Sequence, residues 1–208
     1  MKYGPAPYQE YDMPNRPLII LVHGGGWVGG DKDAPNLQGC ERLVGDVISM
    51  NYFLSYEGQK EVWYQAMKDV YNLVKHVEKV APSKIILLGT SAGANIAALA
   101  CNRWPDLVDG FIGFYGAYDL TRKIDFSDEV KEMIKVYTPY PRRASPYYKL
   151  HMPPCLFIHG LSDESIHWTQ TRNMHKKFGG TLLLSQDKGH AFNIMEYEDQ
   201  INEFVRDL

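Results

Sequence analysis

Short, unbroken apolar runs alternate along the chain with longer stretches of three-and-four periodicity. Leu18–Val22, Ile85–Leu88, Phe111–Tyr115 and Cys155–Ile158 are nearly solid apolar blocks. Blocks of this length suit parallel strands covered on both faces, where no polar side is needed. Val47–Tyr52 and Thr181–Ser185 are weaker strand candidates, the second with consecutive leucines. In Glu61–Val80 the apolar positions Val62, Ala66, Val70, Leu73, Val74 and Val77 recur on one helical face, and Pro82 stops the pattern. Ser91–Arg103 is alanine-rich and predicts a buried helix, whereas Thr169–Phe178 is polar with one apolar stripe. Ile201, Phe204, Val205 and Leu208 define one face of a terminal helix. Strand–helix alternation of this kind predicts a three-layer α/β/α sandwich with a mostly parallel sheet. Its ligand site is expected at the carboxyl ends of the strands.

The 208 residues are enough for one domain, taken as 1–208, with a sizeable core. Hydrophobic residues make up 45% and charged residues 23%, which excludes a disordered chain. A formal net charge of -3 leaves no basic footprint, so no nucleic-acid partner is expected. No run approaches the length of a membrane span. The segment before Pro17 has no apolar core of a signal peptide, and with the scattered cysteines this gives an expectation of a cytoplasmic protein. Cys40, Cys101 and Cys155 form no CxxC pair. HExxH-like spacings are also missing, so neither metal nor organic cofactor is expected.

The strongest chemical signal is Gly89-Thr90-Ser91-Ala92-Gly93, between an apolar strand and an alanine-rich helix. An abrupt strand-to-helix turn crowds the residues two before and two after its tip, so glycine fits there. Ser91 at the tip is exposed above the sheet and lies at a helix N-terminus, where developing negative charge is favoured. The Ala92 amide points to the same place and is a candidate oxyanion donor. His23-Gly24-Gly25-Gly26-Trp27 follows the first strand and leaves bare amides, those of Gly25 and Gly26 being the favoured donors for the other half of an oxyanion hole. A phosphate-binding loop is the competing reading, and neither GxxxxGK[ST] nor GxGxxG supports it. Trp27 is expected as a wall over this loop and a candidate substrate contact. His23 is expected to hold the loop rather than act as a base.

Two further loops complete the set. The strand ending at Ile158 runs into His159-Gly160-Leu161-Ser162-Asp163-Glu164, where Asp163 is the preferred acid and Glu164 the near alternative. Gly189-His190-Ala191-Phe192 follows the last strand candidate, and His190 can reach over the strand ends to Ser91. The other histidines, His159 among them, are expected at the surface or as neighbours of the site. Each motif follows its own strand, and the order Ser91, Asp163, His190 is one in which a nucleophile, its acid and its base recur on such sheets.

With these residues the chain resembles the α/β-hydrolase superfamily. It is most similar to the branch holding hormone-sensitive-lipase-like esterases, small acetyl- or feruloyl-esterase-like enzymes and kynurenine formamidases. The resemblance rests on His23–Lys32, Gly89–Leu99, Phe114–Thr121, Ser145–Ile166, Gly189–Phe192 and the opening Tyr3–Pro7. It implies the α/β-hydrolase fold with a shortened N-terminus, so that one or two edge strands are expected to be missing. Residues 122–149 are the candidate for a minimal cap, with an open or lightly covered site. Thr90 stands where lipase-like members carry an acid.

The expected chemistry is hydrolysis of a short-chain acyl or aryl ester, a small-molecule substrate. Ser91 attacks, His190 takes its proton and Asp163 orients the imidazole, through an acyl-enzyme. The same residues serve an arylformamidase, another amidase or a small peptidase, and a non-catalytic binding protein on this fold is the third reading. A monomer and a homodimer are equally compatible with the sequence.

Overall fold

The computed structural model describes residues 16–56, 59, 62–80 and 82–208. The opening Tyr3–Pro7 lies outside them. Six strands form one sheet: β1 (Pro17–Val22), β2 (Asp46–Met50), β3 (Lys84–Thr90), β4 (Gly110–Phe114), β5 (Cys155–Gly160) and β6 (Thr181–Ser185). Their order across the sheet is β2-β1-β3-β4-β5-β6, and every neighbouring pair is parallel. The expected loss of antiparallel edge strands falls on residues before β1 that are not described.

The apolar runs face both ways because both faces are covered. Ile20, Leu87, Phe111 and Phe157 join one core with helices α1 (Val62–Val77) and α2 (Ala92–Arg103), reached also by α3 (Asp128–Tyr137) and α4 (Thr169–Phe178). Ile19, Ile86, Ile112 and Ile158 join a second core under α5 (Glu198–Asp207) and the loop carrying Leu37, Cys40 and Leu43. This is the α/β/α sandwich expected from the alternation of runs. Cys40, Cys101 and Cys155 are free and buried, and burial pushes the Cys155 thiol up to about 12. Among the described residues, no helix is long and apolar enough to cross a membrane.

Helix α3 is the element that the sequence pattern did not foretell. It lies inside residues 122–149, the expected minimal cap. Ser127 caps it by accepting the Val130 amide. Ile134 and Tyr137 bury its inner face. Trp27 stacks on Tyr137 with ring centroids 4.6 Å apart, which ties the helix to the loop after β1.

Candidate active site

The turn between β3 and α2 puts Ser91 at φ 52°, a backbone conformation that β-carbon residues rarely adopt. Two contacts enforce it. A β-carbon on Gly93 would stand 2.1 Å from the Val22 carbonyl oxygen, and one on Gly89 would stand 2.6 Å from the Ala94 backbone. The turn is thus wedged against the end of β1 as well as against its own helix. The Ser91 amide donates to the Phe114 carbonyl at 2.9 Å, fixing the tip to β4.

The loops after β5 and β6 are knitted together. Ser162 donates its amide to the Lys188 carbonyl at 3.0 Å, and a β-carbon on Gly160 would meet that same oxygen at 2.1 Å. This close approach brings His190 over Asp163. His190 Nδ1 donates to Asp163 Oδ2 at 2.7 Å, and its Nε2 lies 2.9 Å from Ser91 Oγ. Three side chains from three loops therefore form one unbroken hydrogen-bonded chain. Glu164, the alternative acid, takes no part in it among the described contacts.

Asp163 is buried, with 5% of its surface exposed. Burial alone would raise its carboxyl. The hydrogen bonds from His159 and His190, the charge of His190 and the Ile166 amide outweigh that effect and hold the carboxyl well below the usual carboxylate range. The sequence reading set His159 among surface residues or neighbours of the site. It is a fully buried neighbour, with Nε2 3.1 Å from Asp163 Oδ2. The signal available in the sequence was its spacing of four residues before the acid.

The loop after β1 is held from below. His23 Nδ1 donates to the Gly24 carbonyl at 2.6 Å, and its ring stacks on Tyr52 with centroids 4.4 Å apart. Tyr52 donates its hydroxyl to the His23 carbonyl at 3.0 Å. Burial pushes the His23 imidazole down, against the pull of its bond to Gly24, so the ring favours its neutral form. Gly25 and Gly26 carry φ of 114° and 60°. Among the described residues no acceptor meets the amides of Gly25, Gly26 or Ala92.

These elements surround a pocket of about 420 Å³. Gly25, Gly26, Ser91 and His190 line it, together with Glu129, Val130 and Met133 of α3. Trp27 does not reach this lining. It is 1% exposed and packs in the core beneath. Tyr115 belongs both to the core and to the pocket wall. It lines the pocket, stands edge-on to the His190 ring at 5.0 Å and donates its hydroxyl to the Phe192 carbonyl at 3.1 Å. A larger concavity of about 690 Å³ opens at the amino ends of the strands, lined by Lys84, Asp109 and Glu203 among others. No serine or histidine lines it, so volume alone does not mark the site. Among the described residues, no three His, Cys, Asp or Glu side chains converge to hold a metal ion.

A parallel sheet with a strained serine at a strand–helix turn and a histidine–aspartate pair from later loops defines the α/β-hydrolase class. Residues 19–167 match the family model described as alpha/beta hydrolase fold, and the chain belongs to that family. It is 26% identical to esterase LipC of Mycobacterium tuberculosis, over 93% of this chain and 59% of the relative. It is 24% identical to isoprenylcysteine alpha-carbonyl methylesterase ICME of Arabidopsis thaliana, over 79% and 48%. The chain thus spans about half the length of the curated relatives it matches. Among solved structures, the Pyrobaculum calidifontis esterase superposes with a TM-score of 0.73 at 22% identity, covering 92% of this chain and 75% of that one. Carboxyl esterase 2 of Tuber melanosporum gives 0.74 at 21%, covering 93% and 78%.

Proposed function

We propose that the chain hydrolyses carboxylic esters with a short acyl or aryl part. The observation that carries this reading is the continuous hydrogen-bonded chain Ser91–His190–Asp163, whose Ser91 and His190 line the pocket. Ser91 Oγ attacks the ester carbonyl carbon while His190 Nε2 takes its proton. Asp163 keeps the imidazole in the tautomer that leaves Nε2 free to accept, and stabilises the imidazolium. The amides of Ala92, Gly25 and Gly26 receive the oxyanion of the tetrahedral intermediate. His190 then gives its proton to the departing alkoxide. Water, deprotonated by the same imidazole, releases the acid from the acyl-enzyme. The residues that perform these steps are all side chains and amides of this chain.

Pocket size supports a small substrate. About 420 Å³ is near the lower end of small-molecule sites. Tyr115, Val130, Met133 and Ala34 give it apolar walls suited to an acyl chain or an aromatic ring. Relatives whose names describe them as esterases point to the same reaction.

The test is a panel of nitrophenyl esters of increasing acyl length, with an N-formyl anilide beside them, run on wild type and Ser91→Ala. Turnover of short esters that disappears in Ser91→Ala is the expected result. Preference for the anilide would move the assignment to amide hydrolysis. Failure of a fluorophosphonate probe to label Ser91 in folded protein would overturn the enzyme reading altogether.

A further inference from the structure

His159 is the last residue but one of β5, with none of its surface exposed, and Asp163 lies four residues further on. Its Nε2 faces two oxygens that can only accept, Asp163 Oδ2 at 3.1 Å and the Ile166 carbonyl at 2.9 Å. A bare nitrogen between two acceptors would be repelled by both, so Nε2 carries the hydrogen and donates. On the other side of the ring, Nδ1 is 2.6 Å from Thr171 Oγ1 on α4, a hydroxyl that can donate to it. The imidazole is therefore fixed at both nitrogens.

The consequence lies in the carboxylate. Asp163 Oδ2 receives two donors, His190 Nδ1 and His159 Nε2. Its Oδ1 receives two more, the amides of Ser165 and Ile166, both at 2.9 Å. A carboxylate offers about four acceptor sites, and here all are filled. With Oδ1 pinned by backbone alone, the carboxylate could still pivot about its bond to the β-carbon. His159 closes that freedom at the oxygen that His190 uses. The Ile166 carbonyl, which accepts from the same Nε2, ties the acid's loop to the ring.

We infer that His159 is a positioning residue for the reaction. It is a second imidazole that shares Asp163 Oδ2 with His190 and holds that oxygen where it keeps His190 aligned with Ser91. The inference rests on the proposed roles of Ser91, His190 and Asp163. It goes beyond them in assigning a fourth side chain to the chemistry.

The experiment compares His159→Gln with His159→Met. The two replacements have similar length and volume, but only the amide of Gln can donate where Nε2 did. Fluorophosphonate labelling of Ser91 reports nucleophile activation without any knowledge of the substrate. His159→Met is expected to slow labelling about tenfold to a hundredfold, with His159→Gln staying within about threefold of wild type. On any ester the panel reveals, the Met loss should fall on kcat, with KM nearly unchanged. Equal slowing in both variants marks a packing role and overturns the inference, as does no slowing in either. If wild type itself is not labelled, the functional reading fails instead, so the two failures are distinct. Should His159→Met not fold, the imidazole nitrogen spectrum of wild type decides. The His159 Nε2–H resonance should move when phosphonylation of Ser91 leaves His190 protonated. A stationary resonance overturns the inference.

Discussion

The two ends of the sheet are built from the same strands and differ in what they tolerate. Among the described residues, the non-glycine positions with positive φ are Trp27, Ser91, Tyr115 and Ala191. All four sit in loops that follow β1, β3, β4 and β6, at the carboxyl ends. The amino ends hold the larger concavity but none of this strain. Their polar groups serve the scaffold: Asp109 there accepts the Ile85 amide at 2.8 Å and so caps the start of β3. Strain persists only where surrounding contacts over-determine it. The contacts that do so here are the wedged Gly93, the Lys188 carbonyl against Gly160, and the four donors around Asp163. The comparison teaches that what sets apart the end carrying Ser91, His190 and Asp163 is backbone held in costly conformations, more than the size of a hollow.

The largest break in that comparison should come from Ser91→Ala. Removing the hydroxyl at the strained tip is expected to lower ester turnover by about 10⁴–10⁶, measured on the best substrate of the panel. Alanine also keeps the backbone of the turn, so the melting temperature should change little. A variant that kept a tenth of the activity would mean that the strain at residue 91 serves something other than nucleophilic attack.

Next comes Asp163→Asn, expected to cost about 10⁴ in kcat because an amide no longer fixes the His190 tautomer. This substitution also has a pH signature. The carboxyl of Asp163 is depressed in the folded protein, so its contribution to stability is complete above about pH 4, the unfolded carboxylate value. It is lost as pH falls through the depressed folded value. The melting-temperature gap between wild type and Asp163→Asn should therefore be wide at neutral pH and narrow steadily below about pH 4. A gap that stayed constant down to acid unfolding would show that the ionised carboxylate adds nothing to folding.

How much of this was legible in the sequence follows from the same division. The strands were readable because burial on both faces imposes solid apolar runs, and Thr181–Ser185 matches β6 residue for residue. That Ser91, Asp163 and His190 come together was readable because each follows its own strand. Helix α3 was missed although Ser127 caps it and Val130, Met133, Ile134 and Tyr137 recur at helical spacing. Its ten residues lie among charges and close to three prolines, and its burial depends on Trp27, about a hundred positions away in sequence, a contact no local pattern carries. His159 was passed over for a related reason. Its role depends on the Asp163 loop curling back so that residues 159 and 166 meet around one oxygen, and a hydrogen-bond donor's direction is not written in spacing.

A smaller effect should follow Gly25→Ala. A β-carbon there would meet the Gly29 carbonyl oxygen at 2.2 Å, on a backbone with φ of 114°. The loop would have to move, and with it the amides of Gly25 and Gly26. Loss of an oxyanion donor typically costs about 10²–10³ in turnover. Steady-state kinetics should show this loss in kcat, while labelling of Ser91 by fluorophosphonate, which also needs the hole, slows in parallel. Unchanged kinetics would mean that the glycines serve chain reversal only.

The smallest expected effect lies at the opposite end. Glu203 on α5 lines the amino-end concavity and is exposed, with no ion pair among the described residues. If that hollow is a by-product of how α5 crosses the sheet, Glu203→Gln should leave ester turnover within about twofold and the melting temperature within about 2 °C. The chemistry is far from it along the strands, and β3, β4 and β5 are packed so tightly that a lost charge at one end has no loose element through which to act. A change in kcat of tenfold or more would mean that the amino ends communicate with the strained turns. The contrast between a working end and a structural end would then have to be replaced by a coupled pair of sites.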